Sequence, residues 1–222
     1  MQSSAKRQRT GKSTNGSRKS KDPSKPAPRK VYVERGPRES NYKDTALATY
    51  GAGLTGSVTL LNDCAQGAGS SQRVGKKIQL KSLQIRGQHE PQSAMVYSDA
   101  AMMIVYDSKP TGVLPAVTDI LESASSNAMN KADNAGRFRI LRRHDSLLVA
   151  DSTAARGANA YKDLGDFLLL HDLKTVYKSA GTGAIGDIES GALYLVTIGN
   201  QTEGTLASNM NLAFRLRYYD IN

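Results

Sequence analysis

The chain has 222 residues, enough for one domain and a tail, with a formal net charge of +10 and a single cysteine, Cys64. One cysteine excludes an internal disulfide and any cysteine-based metal cluster. The sequence has no run of 18 apolar residues, so no helix that crosses a membrane is expected.

The charge is unevenly placed. Residues 1–43 hold 13 of the 30 Lys and Arg and only 3 of the 20 Asp and Glu, which leaves residues 44–222 neutral. A neutral body with a cationic tail points to a polyanion partner. Residues 1–30 contain no Val, Ile, Leu, Phe or Tyr. Such text cannot bury enough apolar surface to offset its ordering entropy, so a disordered arm is expected over 1–43 and a folded body over 44–222. The arm has no apolar stretch of the kind that opens a secretory signal, and the sequons at Asn15 and Asn200 are expected to stay unmodified. In the arm, Lys6, Arg7, Arg9, Lys12, Arg18, Lys19 and Lys21 are the expected phosphate contacts. Lys6-Arg7 and Arg18-Lys19-Ser20-Lys21 are separated by ten residues, the spacing of a bipartite nuclear import signal. That makes Lys6, Arg7, Arg18, Lys19 and Lys21 candidates for binding an import receptor; the alternative is a solvated charge run that meets phosphate without sequence preference.

The body reads as strands. Residues 76–88 carry Ile78 and Leu80 in one phase and Leu83 and Ile85 in the other, so a β-bulge is expected near Lys81–Ser82. Residues 95–107 are nearly all apolar and suit a strand buried on both sides. The segment 115–123 is a short helix candidate opened by Pro115. Further strands are expected at 136–143, 145–150, 166–171, 173–178 and 191–199. The clearest is 209–220, where Met210, Leu212, Phe214, Leu216 and Tyr218 alternate with polar residues. Eight strands separated by long Gly/Ser/Asn/Asp loops predict an all-β body, a single eight-stranded jelly roll of two packed antiparallel sheets.

Apparent catalytic motifs fail on context. Gly181-Thr182-Gly183-Ala184-Ile185-Gly186 matches a dinucleotide fingerprint, but a strand rather than a helix follows it. Gly11-Lys12-Ser13 lacks the first glycine of a P-loop, since position 6 is Lys6. His89, His144 and His171 are scattered, and His144 and Asp145 point to opposite faces of a strand, so neither a zinc site nor a dyad is expected. No enzyme activity, cofactor or metal is expected.

Four runs, in order, resemble the coat proteins of geminiviruses. They are Arg73-Val74-Gly75-Lys76-Lys77 through Ser82, Met103-Ile104-Val105-Tyr106-Asp107-Ser108-Lys109-Pro110, Arg137-Phe138-Arg139-Ile140-Leu141-Arg142-Arg143-His144, and Leu212 through Asp220. The Cys/His cluster usual in that family is missing, which suggests a geminivirus-like relative among the circular single-stranded DNA viruses. The resemblance implies a jelly roll that self-assembles into small icosahedral shells, packages single-stranded DNA, and is found in the virion and the host nucleus. Closed symmetry of identical subunits separately sets the expected shell at about 60 copies. A cellular nucleic-acid-binding protein with a basic extension and a small RNA-virus coat protein are the competing readings. In jelly-roll order the first, eighth, third and sixth strands form one sheet. The solvent-side residues then include Lys77, Lys81 and Arg86 on the first, Arg215, Arg217 and Tyr219 on the last, and Arg137 and Arg139 on the third. These are the expected DNA contacts of the body, with Arg on phosphate and Tyr219 free to stack a base.

Overall fold

Residues 40–91, 97–149, 161–178, 181–202 and 208–221 are described by the computed structural model. The predicted contacts of the arm therefore lie outside the described residues. Eleven strands are found among those described: β1 (Asn41–Ala52), β2 (Ser57–Leu60), β3 (Lys77–Pro91), β4 (Tyr97–Asp107), β5 (Phe138–Val149), β6 (Lys162–Asp163), β7 (Asp166–Leu169), β8 (Lys174–Tyr177), β9 (Ile188–Ser190), β10 (Ala192–Gly199) and β11 (Ser208–Asp220). A one-turn helix, α1 (Val117–Ile120), lies inside the expected helical segment.

The strands form two antiparallel sheets, a jelly-roll sandwich around one core. One sheet has the order β1-β11-β3-β8-β9, with β6 and β7 also bonded to β3. The other has the order β2-β10-β4-β5. The chain passes from one sheet to the other at β1–β2, β2–β3, β3–β4, β5–β6, β9–β10 and β10–β11, so the core fills between strands distant in sequence. Gly191, at the β9–β10 crossing, has φ +79°, and a Cβ there would stand 1.9 Å from the Lys174 carbonyl oxygen. Only glycine fits both the conformation and the approach.

Period-2 patterning explains the best-placed elements. In β11, Met210, Leu212, Phe214, Leu216 and Tyr218 are buried and Arg215 and Arg217 exposed. In β3, Leu80 faces Tyr218 and Ser82 faces Arg217, which leaves Lys81 as the extra residue of a bulge where one is expected. The bulge brings Ile78, Leu80, Leu83 and Ile85 onto one buried face. β4 and β10 are buried on both sides. The segment after β4 accounts for this: its Val117, Ile120, Leu121 and Ala128 join the core. Asp99 and Arg143 moor it, the first accepting from Ser126 and Asn127 and the second donating to the Ser126 and Ala128 carbonyls.

Three expectations need correction. The sequence suggests separate strands at 136–143 and 145–150, but the structure has one strand, β5, continuous through the polar run Arg142-Arg143-His144-Asp145. An edge strand can carry that run because its charges have partners on both sides. Arg142 and His144 reach Asp166 of β7 at 2.7 and 2.9 Å, while Arg143 turns outward to Asp145 at 2.8 Å. Burial alone would raise the Asp166 carboxyl, but the hydrogen bond from His144, the Phe167 amide and Arg142 hold it below the usual range. The second correction follows from the first: residues 137–143 belong beside β4 in the smaller sheet, not beside β3 and β11. Third, the strand at 166–169 pairs with β3 in the larger sheet. The expected adjacency of the first strand with the last, and of the second with the seventh, is observed as β3–β11 and β4–β10. β1 and β2 come from text that composition leaves unassigned.

Two buried polar clusters brace the interior, one anchoring the segment between β2 and β3 to β8 and the other joining the two sheets. Arg73 is fully buried, its guanidinium 4.0 Å from the Tyr177 ring centroid, and donates to the carbonyls of Cys64 and Gly75. His89, also fully buried, shares hydrogen bonds with Ser146 and Ser208, both at 2.5 Å, and Ser208 in turn bonds Ser98 at 2.7 Å. Ser98 and Ser146 belong to the smaller sheet, so this network stitches the sandwich across its core.

Candidate nucleic-acid interface

In a strand the side chains alternate between faces, so the residues opposite the core can be followed across the larger sheet. From β3 come Lys77, Gln79, the bulge residue Lys81, Gln84 and Arg86; from β11 come Arg215, Arg217 and Tyr219. Strand pairing places Tyr42 of β1 opposite Arg217 and Asp44 opposite Arg215. On the other flank it places Phe167 of β7 opposite Gln84 and Lys174 of β8 opposite Gln79. Six cations thus share one face with three aromatic rings. The acids on it include Asp44, Glu189 on the edge strand β9 and, at the end far from Lys77, Glu90 and Asp163.

The face is internally organised. Lys81 Nζ lies 5.0 Å from the Tyr219 ring centroid, and the Arg215 guanidinium lies 5.2 Å from that of Tyr42. Arg215 donates two hydrogen bonds to Asp44, at 2.7 and 2.6 Å, and these hold the Asp44 carboxyl below its usual range. The pair fixes Arg215 in place while β1 and β11 are aligned. Alternating cations and ring faces suit a phosphate backbone with unpaired bases: the cations neutralise phosphates and every base has a π-face to stack.

Sequence reasoning places Lys77, Lys81, Arg86, Arg215, Arg217 and Tyr219 on one side, and the structure brings them together. It does not bring Arg137 and Arg139 there. Arg137 donates two hydrogen bonds to the fully buried Asp107, at 3.0 and 2.9 Å, and its guanidinium lies 4.4 Å from the Phe138 ring centroid. Its charge is committed to holding β4 and the start of β5. Arg139 lines a cleft of about 340 Å³ between β5 and the turn around residues 168–173. Sequence reasoning misses Lys174, Tyr42 and Phe167. The alternation of Leu173, Thr175 and Tyr177 with Lys174 and Val176 is a usable signal for Lys174; nothing in the text around Tyr42 marks it as part of a strand.

A two-sheet antiparallel jelly roll with one basic, aromatic sheet face is the class that the fold and site define. The chain belongs to the Geminivirus coat protein/nuclear export factor BR1 family, whose family model matches residues 1–222. A capsid protein of Miscanthus streak virus (isolate 91) is 32% identical over 106 residues, a match that covers 41% of this chain and 42% of that relative. Among solved structures, one of Desmodium yellow mottle tymovirus aligns over 96% of both chains at 10% identity with a TM-score of 0.39. One of infectious bursal disease virus, Gx strain, aligns over 82% of this chain and 33% of its own at 8% identity with a TM-score of 0.28.

Proposed function

We propose that this chain is a viral coat protein that self-assembles into a closed shell and packages single-stranded DNA. The observation that carries the proposal is the larger sheet's outer face, where Lys77, Lys81, Arg86, Lys174, Arg215 and Arg217 stand with Tyr42, Tyr219 and Phe167. In the assembled shell this face lines the interior. The basic arm supplements it: 60 arms would bring roughly 600 positive charges to the packaged strand. Lys6, Arg7, Arg18, Lys19 and Lys21 carry the protein into the host nucleus through an import receptor. The role is structural, with no catalytic step and no cofactor.

The test is expression followed by size-exclusion chromatography and negative-stain imaging. Uniform shells containing nuclease-protected DNA are expected; a stable monomer that binds nucleic acid would favour a non-capsid role. Lys81→Glu with Arg217→Glu reverses two charges on the face without touching the core. Shells of that variant are expected to form but to hold much less nucleic acid, and full shells would count against the assignment of the face. Arg137 is unsuited to this test because its partner is Asp107. For import, a fluorescent fusion of residues 1–30 is expected to concentrate in nuclei and to lose that concentration when both basic clusters become Ala.

A further inference from the structure

The basic face contains a depression. It has a volume of about 290 Å³ and is lined by Asp44, Ala46, Gln84, Arg86, Ala213 and Arg215, among others. Its origin is local. Between Thr45 and Ala48 the pairing of β1 with β11 shifts, so two residues of β1, Ala46 and Leu47, stand against Ala213 alone. Two of the side chains at this irregularity, Ala46 and Ala213, are single methyl groups, which leaves room there.

The chemistry of the lining is specific. The floor is apolar, supplied by Ala46, Ala213 and the edge of Phe214. The Asp44 carboxylate receives Arg215 from one side and keeps lone pairs for another donor. The Gln84 amide has no hydrogen-bond partner among the described residues, and the Arg86 guanidinium has no carboxylate there. A phosphate does not fit the interior, because Asp44 would repel it and the methyl floor cannot solvate it. A flat heterocycle does fit: apolar faces for the floor, and N–H and carbonyl edges for Asp44 and Gln84. Arg86 and Arg215 then stand at the rim, where the flanking phosphates would be.

We infer that this depression takes one unpaired nucleobase of single-stranded nucleic acid, its edge read by Gln84 and Asp44 and its phosphate held by Arg86. The inference rests on the reading of the face as a nucleic-acid interface. It adds a reason for preferring single strands: a base inside a duplex has its edge occupied by its complement and cannot enter. Phe167, in register with Gln84 and more than half exposed, offers a ring to the next base along.

Two variants of the full-length protein test this without changing its charge. Ala213→Leu fills the depression from a half-exposed position on the outer face. Gln84→Met removes the amide and keeps nearly the same bulk. Binding of a labelled single-stranded oligodeoxynucleotide, and of a duplex of equal length, is measured by anisotropy across a salt series. Each variant is expected to bind the single strand about tenfold more weakly, within the range for losing one stacked base, with the salt slope and the duplex affinity unchanged. Single-strand affinity within twofold of the original in both variants overturns the pocket and leaves the face standing. Equal losses on single strand and duplex do the same. An original protein that binds neither substrate overturns the reading of the face as well.

Discussion

His89 shows how much one buried side chain can make stability depend on pH. Burial, with a smaller contribution from the Lys162 ammonium, depresses its imidazole to about 4, against 6.5 for an ordinary histidine. The serines around it carry no charge that could balance a proton; the charged groups on the adjoining strands are Lys162, Asp145 and Glu90. Because the folded form binds the proton less readily than the unfolded form, stability is complete above pH 6.5 and is lost as pH falls from there towards 4. The full loss is about 3 kcal/mol. Thermal melts at about pH 7 and about pH 4.5 should show a larger drop in Tm for the native sequence than for His89→Gln, which has nothing to titrate at that position. Equal drops would place the acid sensitivity elsewhere. Arg137 makes a second case. Replacing it by Glu sets a carboxylate against Asp107, a buried acid left without its cation. Losing one partner of such a pair costs about 3–5 kcal/mol, so Arg137→Glu should lower the denaturant midpoint sharply while Arg139→Glu, at an exposed position, leaves it nearly unchanged.

At the scale of elements, the bulge in β3 sets which side the first four residues of the strand present. Deleting Lys81 would move Lys77–Leu80 by one position and turn Ile78 and Leu80 out of the core. The deletion should abolish cooperative unfolding, whereas Lys81→Ala keeps the count and should fold normally; circular dichroism melts separate the two. This bulge is legible in the sequence because two apolar pairs in opposite phase reach one face of a strand only when an extra residue is inserted between them. β11 is legible for a similar reason, its alternation running from Met210 to Tyr218. The partners of the strands are harder to read. Apolar period tells which face of a strand is buried and says nothing of its neighbour, so the sequence alone sets residues 137–143 in the wrong sheet, and Arg137 and Arg139 with them. Asp107 and Arg137 are 30 residues apart, and no local pattern joins them. The polar run in β5 reads as a break until Asp166 is placed beside it. β1 escapes notice because it pairs on one flank only, to β11, and much of it is exposed, so its apolar pattern is faint.

At the scale of the whole molecule, the proposed function would have two basic features act on nucleic acid by different physics. The arm is rich in Lys and Arg and poor in rings, so its contribution should be counterion release with little preference among sequences. Deleting residues 1–35 should leave the body folded, reduce bound DNA, and flatten the dependence of affinity on salt. An unfolded product, or an unchanged salt slope, would contradict the division of labour. What remains after deletion should be the binding of the face: a smaller salt-dependent part from its six cations and a part that depends on stacking against Tyr42, Tyr219 and Phe167.

The small sheet and the large one are finished differently. The segment after β4 covers the outer surface of β4 and β10, so both of those strands are dry on two sides, while the other sheet keeps a broad polar surface open to water. The folded chain is consequently two-sided on its own. A tile with one clad side and one charged side has a preferred way up, and in a closed shell that sense is inherited by every copy. Inside and outside would then be decided within the single chain, as it folds, and assembly would only have to respect the choice.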